Sequence, residues 1–130
     1  MSENSVPDGY HTVTPYFVVQ DAGGLIEFIT TAFGGKERTR MLGDDGSIMH
    51  AEVEIGDSVI MIGGASEEFP PKTAMLHLYV PDVDALYEQA INAGAESKRE
   101  PADQEYGDRS AGVSDSWGNE WWLATHIKDA

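Results

Sequence analysis

Two hydrophobic periods alternate along the chain, one of two residues and one of 3.6, and together they predict two repeats of the same order of elements. Residues 12–19 (TVTPYFVV) predict a strand. Val13, Pro15, Phe17 and Val19 share one face, and Thr14, Tyr16 and Val18 share the other, because strand side chains alternate. Pro15 predicts an edge or a bulge at its start. Asp21 is placed to cap a helix whose apolar positions Leu25, Ile26, Phe28, Ile29, Ala32 and Phe33 fall at helical spacing, and Gly34-Gly35 end it. A strand over 36–42 and a turn at Gly43–Gly46 follow, then a hairpin of 48–55 and 58–62 about Gly56-Asp57. A two-residue turn there sets Ile55 opposite Ser58, Val53 opposite Ile60 and Ala51 opposite Ile62. One face of the hairpin is then Ala51, Val53, Ile55, Ile60 and Ile62, fit to lie under a helix. The other holds His50, Glu52, Glu54, Val59 and Met61, a poor core and a plausible pocket wall.

After a Ser-, Glu- and Pro-containing stretch, the pattern restarts. Residues 74–80 predict a strand with Leu76, Leu78 and Val80 on one face and Met75, His77 and Tyr79 on the other. Asp82 caps a second helix with Val83, Leu86, Tyr87, Ala90 and Ile91 at helical spacing, ended by Gly94, and residues 95–100 predict another strand. Two final strands flank the turn Asp115-Ser116-Trp117-Gly118-Asn119. The last puts Trp121 and Trp122 on opposite faces, so both faces need cover: Trp121 and Leu123 under a helix, Trp122 as a stacking wall for a planar or cationic ligand or as simple filling. The halves align at Val19-Gln20-Asp21 with Val80-Pro81-Asp82 and at Gly56-Asp57 with Gly118-Asn119, an offset of about 61 to 64 residues. The fold class expected is α+β: two tandem βαβββ modules forming a cupped mixed sheet. The predicted boundaries are a disordered lead over 1–11, a first module over 12–63, a linker over 64–73 and a second module over 74–127.

Composition narrows the partners. Eight basic against 23 acidic residues give a net charge of -15, which repels nucleic acid and attracts cations. No apolar run approaches the roughly 20 residues of a membrane span, and the first residues have neither the basic region nor the apolar core of a signal peptide. With no cysteine there is no disulfide framework. A cytoplasmic protein is the default these totals imply.

Taken in order, Tyr106-Gly107-Asp108-Arg109, Asp115–Asn119 and Trp122-Leu123-Ala124-Thr125-His126, with His50-Ala51-Glu52, Gly56-Asp57-Ser58 and Val80–Asp84, make the chain resemble the glyoxalase/bleomycin-resistance/dioxygenase (vicinal oxygen chelate) superfamily, and within it the PhnB-like group. The resemblance spans nearly all of 12–126. It implies paired βαβββ modules, a homodimer and a small-molecule ligand. It also implies one divalent ion held by His, Gln or Glu from the first and last strands of each module. The matching positions here are Thr14, Met61, Met75 and Trp122, none of them a usual ligand for such an ion.

No cofactor is therefore expected at the family positions. A divalent metal remains an alternative through a shifted set, His50, Glu52 and His77, which could equally move a proton as a His–Glu pair. Tyr16, Met61, Met75, Tyr79, Glu120 and Trp122 are the expected pocket lining. His11 and His126 are expected to be solvated, and Asp108 to pair with Arg109. Three functions follow: a small-molecule binding or enzyme-like protein without the usual ligands, a metal-dependent lyase, isomerase or dioxygenase on the shifted set, or an acidic drug-sequestering binder of the bleomycin-resistance type.

Overall fold

A computed structural model describes residues 5–129; the expectation for residues 1–4 lies outside them. The elements, in chain order, are β1 (Tyr16–Val19), α1 (Ala22–Phe33), β2 (Lys36–Leu42), β3 (Ile48–Ile55), β4 (Ser58–Gly64), β5 (Met75–Tyr79), α2 (Val83–Asn92), β6 (Glu96–Asp103), β7 (Asp108–Ser114) and β8 (Glu120–His126). The chain divides into two compact units. The first takes residues to Thr30 and Gly34–Lys72, the second Thr31–Phe33 and residues from Thr73 on. Each holds one four-stranded mixed sheet of the same order, β1-β4-β3-β2 in the first and β5-β8-β7-β6 in the second. In both, the first strand runs parallel to the fourth, and the remaining pairs are antiparallel.

In the first unit the hairpin has the predicted register, Ile55↔Ser58, Val53↔Ile60 and Ala51↔Ile62. Ala51, Val53, Ile60 and Ile62 are buried with Phe17, Leu25 and Ile29. Each large aliphatic or aromatic side chain so covered contributes about 1.5–3 kcal/mol. Val59, predicted on the opposite face, is buried too. The Asp21 side chain caps α1 through Gly24 N–H at 3.0 Å, and Gly35 N–H closes it on the Ile29 carbonyl at 3.3 Å.

The element boundaries differ from the sequence expectation for local reasons. β1 starts at Tyr16 rather than 12 because Pro15 has no N–H to give; its carbonyl instead accepts from Met61 N–H at 3.0 Å. β6 runs on to Asp103, past the predicted end at 100, because irregularities between Ser97 and Arg99 and between Arg99 and Ala102 absorb mismatched register. The stretch read as a linker turns back on its own unit: Lys72 N–H donates to the Val18 carbonyl at 2.9 Å.

In the second unit α2 packs over β6, β7 and β8. Trp121 and Leu123 are fully buried, as the alternation requires, and the Phe33 ring lies 4.9 Å from that of Trp121. The β7–β8 turn is tied by one carboxylate. Asp115 Oδ1 accepts from the backbone N–H groups of Trp117 (2.9 Å) and Asn119 (3.0 Å), and Oδ2 accepts from Asn119 Nδ2 (3.0 Å) and Trp121 Nε1 (2.9 Å). Asn119 Oδ1 in turn accepts from Ala74 N–H at 2.9 Å, tying the turn to the start of β5. Asp115 and Asn119 are both buried, so an empty acceptor position here leaves several donors without partners. Asp115→Ala is expected to lower stability by about 3 kcal/mol, read from the urea midpoint followed by tryptophan fluorescence.

Candidate functional site

The face of the first sheet opposite its core carries the chemistry. β1 and β4 set Tyr16 beside Met61, and β3 and β4 set Glu52 beside Met61 and His50 beside Gly63. Tyr16 Oη stands 3.1 Å from His50 Nδ1, with the two rings tilted at 5.8 Å between centroids. His50 Nε2 stands 3.6 Å from Glu52 Oε2, and both side chains are largely covered. Gly63 makes this approach possible: a Cβ there would lie 3.0 Å from Tyr16 Oη and 3.1 Å from Cε1. Behind Glu52 sits Tyr10, whose phenol is pushed up to about 12, first by burial and then by the neighbouring carboxylate. The Arg38 guanidinium covers the Tyr10 ring at 5.3 Å and donates to the Asp8 carbonyl at 3.1 Å, so the lead segment has its own contacts from Asp8 on.

Tyr16 also lines a cavity of about 940 Å³ in this unit. Its apolar wall includes Val18, Ile48, Met49 and Phe69; Asp21, Glu68 and Arg40 bring charge to it, and the first turn of α1 enters at Ala22 and Gly23. Arg40 is already bonded twice to Glu37, at 2.6 and 3.0 Å. Of the expected pocket residues only Tyr16 lines this cavity; Met61, Met75, Tyr79, Glu120 and Trp122 do not. Ala65, Ser66, Glu68 and Phe69, from the stretch read as a linker, do. The one sequence signal for them was Phe69, a large apolar residue in an otherwise polar loop.

The second unit uses the corresponding face differently. Met75, His77 and Tyr79 lie exposed along β5, with the His77 and Tyr79 rings edge to face at 4.9 Å. Trp122 lies under the Arg99 guanidinium at 5.0 Å and donates from Nε1 to Glu120 at 3.1 Å. A Cβ on Gly112 would fall 2.5 Å from the Trp122 ring, so this stack needs a glycine on β7. Arg109 does not pair with Asp108. It bonds Asp84 at 2.8 and 3.2 Å and Asp103 at 3.1 Å, because consecutive strand residues point to opposite faces. Asp108 is buried and accepts instead from Tyr79 Oη at 2.8 Å, with His126 Nδ1 at the same distance. His126 is half exposed as well as paired, its second nitrogen 2.9 Å from Asp129, whereas His11 is exposed.

The family metal positions do not fit a divalent ion. Thr14 lies before β1, and the residue opposite Met61 is Tyr16; Met75 lies opposite Glu120, and Trp122 is stacked by Arg99. A hydroxyl, two thioethers and an indole are not a donor set for such an ion. Of the shifted set, His50 and Glu52 come together in the first unit while His77 belongs to the second, and among the described residues no three His, Asp or Glu side chains form a metal-holding group.

The His126–Asp108 pair makes stability depend on pH. Hydrogen bonds to Asp108 and then Asp129 raise the His126 pKa, and His126 and then Tyr79 lower that of Asp108. The His126 contribution is complete below its unfolded value of about 6.5 and is lost as pH rises through the folded value. The Asp108 contribution is present above about 4 and is lost as pH falls through its folded value. His126→Gln is therefore expected to lower the urea midpoint at about pH 5.5 and to have less effect at about pH 8.5.

The comparisons agree with this architecture. The family model described as Glyoxalase/Bleomycin resistance protein/Dioxygenase superfamily matches residues 10–123. An uncharacterized protein of Mycobacterium bovis is 34% identical over 128 residues, covering 90% of this chain and 84% of that protein. An uncharacterized protein of Mycobacterium tuberculosis is 34% identical over the same length, covering 75% of that protein. Among solved structures, TioX from Micromonospora sp. ML1 is similar with a TM-score of 0.78 at 21% identity, covering 90% of this chain and 99% of that one. The fosfomycin resistance protein FosX from Mesorhizobium loti is similar with a TM-score of 0.66 at 18% identity, covering 90% and 92%. With a matching family model over most of its length and the paired βαβββ topology beneath it, the chain belongs to the glyoxalase/bleomycin resistance protein/dioxygenase superfamily.

Proposed function

We propose that the protein, a PhnB-like member of its superfamily, binds a small organic molecule in the cavity of the first unit, without a metal at the family's ligand positions. The observation that carries this is the cavity itself: about 940 Å³, within the range of sites for drug-sized ligands, with an apolar wall and a few polar groups. The charge around it selects further. Asp21 and Glu68 line the cavity while Arg40 is held by Glu37, and the whole chain carries -15, so neutral and cationic ligands are favoured over anions. A cationic drug would satisfy the same preference, which keeps sequestration within this reading. The family resemblance supports assembly as a homodimer, checked by sedimentation at twice the chain mass.

The neutral dye N-phenyl-1-naphthylamine serves as a probe. Its fluorescence is expected to rise on binding, with an affinity that chelator does not change. Ala65→Trp, which fills the cavity from the loop after β4, is expected to weaken binding by about tenfold or more. No enhancement with the wild-type protein, or equal affinity in the filled variant, would remove this reading.

A further inference from the structure

Three side chains stand in series, the first of them at the cavity wall. Tyr16 Oη is 3.1 Å from His50 Nδ1, and His50 Nε2 is 3.6 Å from Glu52 Oε2. Tyr16 lines the cavity and is half exposed, whereas His50 and Glu52 lie behind it at 23% and 22% side-chain exposure. A free phenol holds its proton at neutral pH, with a pKa of about 10. An imidazole nitrogen at the phenol oxygen offers that proton a place to go. The order is that of a hydroxyl bonded to its candidate base, with a carboxylate 3.6 Å beyond the base, an electrostatic contact rather than a hydrogen bond. With Nδ1 accepting from Tyr16, the remaining N–H of the neutral ring is on Nε2, the nitrogen nearer Glu52.

We propose that Tyr16, His50 and Glu52 form a metal-independent acid–base centre, in which Tyr16 exchanges a proton with a neutral, enolisable or phenolic molecule bound in the cavity. This rests on the binding reading above. In the step, Tyr16 Oη takes a proton from a ligand C–H beside a carbonyl, or from an aromatic O–H, as it passes its own proton to His50 Nδ1. The ligand is left as enolate or phenolate and His50 as imidazolium beside Glu52. Return of the proton along the same path restores both, so no oxidant, reductant or co-reactant takes part. The ligand class follows from the cavity. Val18, Ile48 and Phe69 suit a carbon skeleton, and Asp21 and Glu68 disfavour a ligand that arrives already anionic, while the transient enolate or phenolate is balanced by the imidazolium formed at His50 across Tyr16.

Tetranitromethane, which nitrates phenolate in preference to phenol, tests the centre directly, with each tyrosine followed by peptide mass spectrometry. Tyr106 is the matched control, at 54% exposure against 49% for Tyr16. At about neutral pH, Tyr16 is expected to react about tenfold faster than Tyr106. His50→Gln is expected to bring it to the Tyr106 rate, and Glu52→Gln to an intermediate one. A Tyr16 rate no faster than that of Tyr106, or one unmoved by His50→Gln, overturns the proposal. Thermal unfolding checks that the variants fold, and Glu52→Gln, which leaves the imidazole in place, decides the matter if His50→Gln does not. The substrate class is tested with 2-tetralone, a neutral enolisable ketone, by following deuterium uptake in heavy water. Saturable uptake lost in Tyr16→Phe supports the class, and uptake no faster than in buffer overturns it. Dye binding with an unreactive Tyr16 sinks the acid–base centre alone, whereas a reactive Tyr16 without dye binding sinks the binding reading alone.

Discussion

The register of the β3–β4 hairpin is the constraint on which the first unit depends. Gly56-Asp57 closes it so that Ala51, Val53, Ile60 and Ile62 all reach the core. Because side chains alternate, the same register sends His50 and Glu52 to the opposite face, beside Tyr16. A slip by one residue would exchange the two sets, burying an imidazole and a carboxylate and exposing the aliphatic core. The burial of roughly a dozen apolar side chains thus also fixes where the polar chemistry stands. Gly63 completes the arrangement by leaving room on β4 for the Tyr16 ring.

The second unit repeats the topology and spends its polar groups differently. Trp122 is covered by Arg99, Glu120 accepts from Trp122, and the Tyr79 hydroxyl is held by a buried Asp108 that also holds His126. These are pairings among side chains of β5, β6, β7 and β8. The Asp115 carboxylate ties the β7–β8 turn, gathering the backbone and the Trp121 indole around one buried acceptor. One strand order therefore carries a cavity-lined face in the first unit and, in the second, a face where Trp122, Tyr79 and His126 are paired with neighbouring side chains.

The departure at the family's metal positions follows from the same distribution. Thr14 lies before the first strand of the first unit and Met75 opens that of the second, and neither is a usual ligand for such an ion. What the first unit keeps instead is a phenol, an imidazole and a carboxylate within reach of one another. In the acid–base centre proposed above, these groups exchange a proton with the bound ligand.

Most of the fold was legible in the chain, because period-two and period-3.6 patterns are local and each reports its own buried face. The helices capped by Asp21 and Asp82, the hairpin register, the burial of Trp121 and the grouping of His50 with Glu52 all came from residues within a few positions of one another. The start of β1 and the far end of β6 did not, since each depends on what a neighbouring strand can donate or absorb. The partners of Trp122, Arg109 and Asp108 are cross-strand or helix-to-strand neighbours, and no sequence period records which charged side chain folds over which ring. The cavity was the least legible feature. Its wall joins β1 and the first turn of α1 to the β2–β3 turn and the loop after β4, segments far apart in sequence that only the closed tertiary structure brings together.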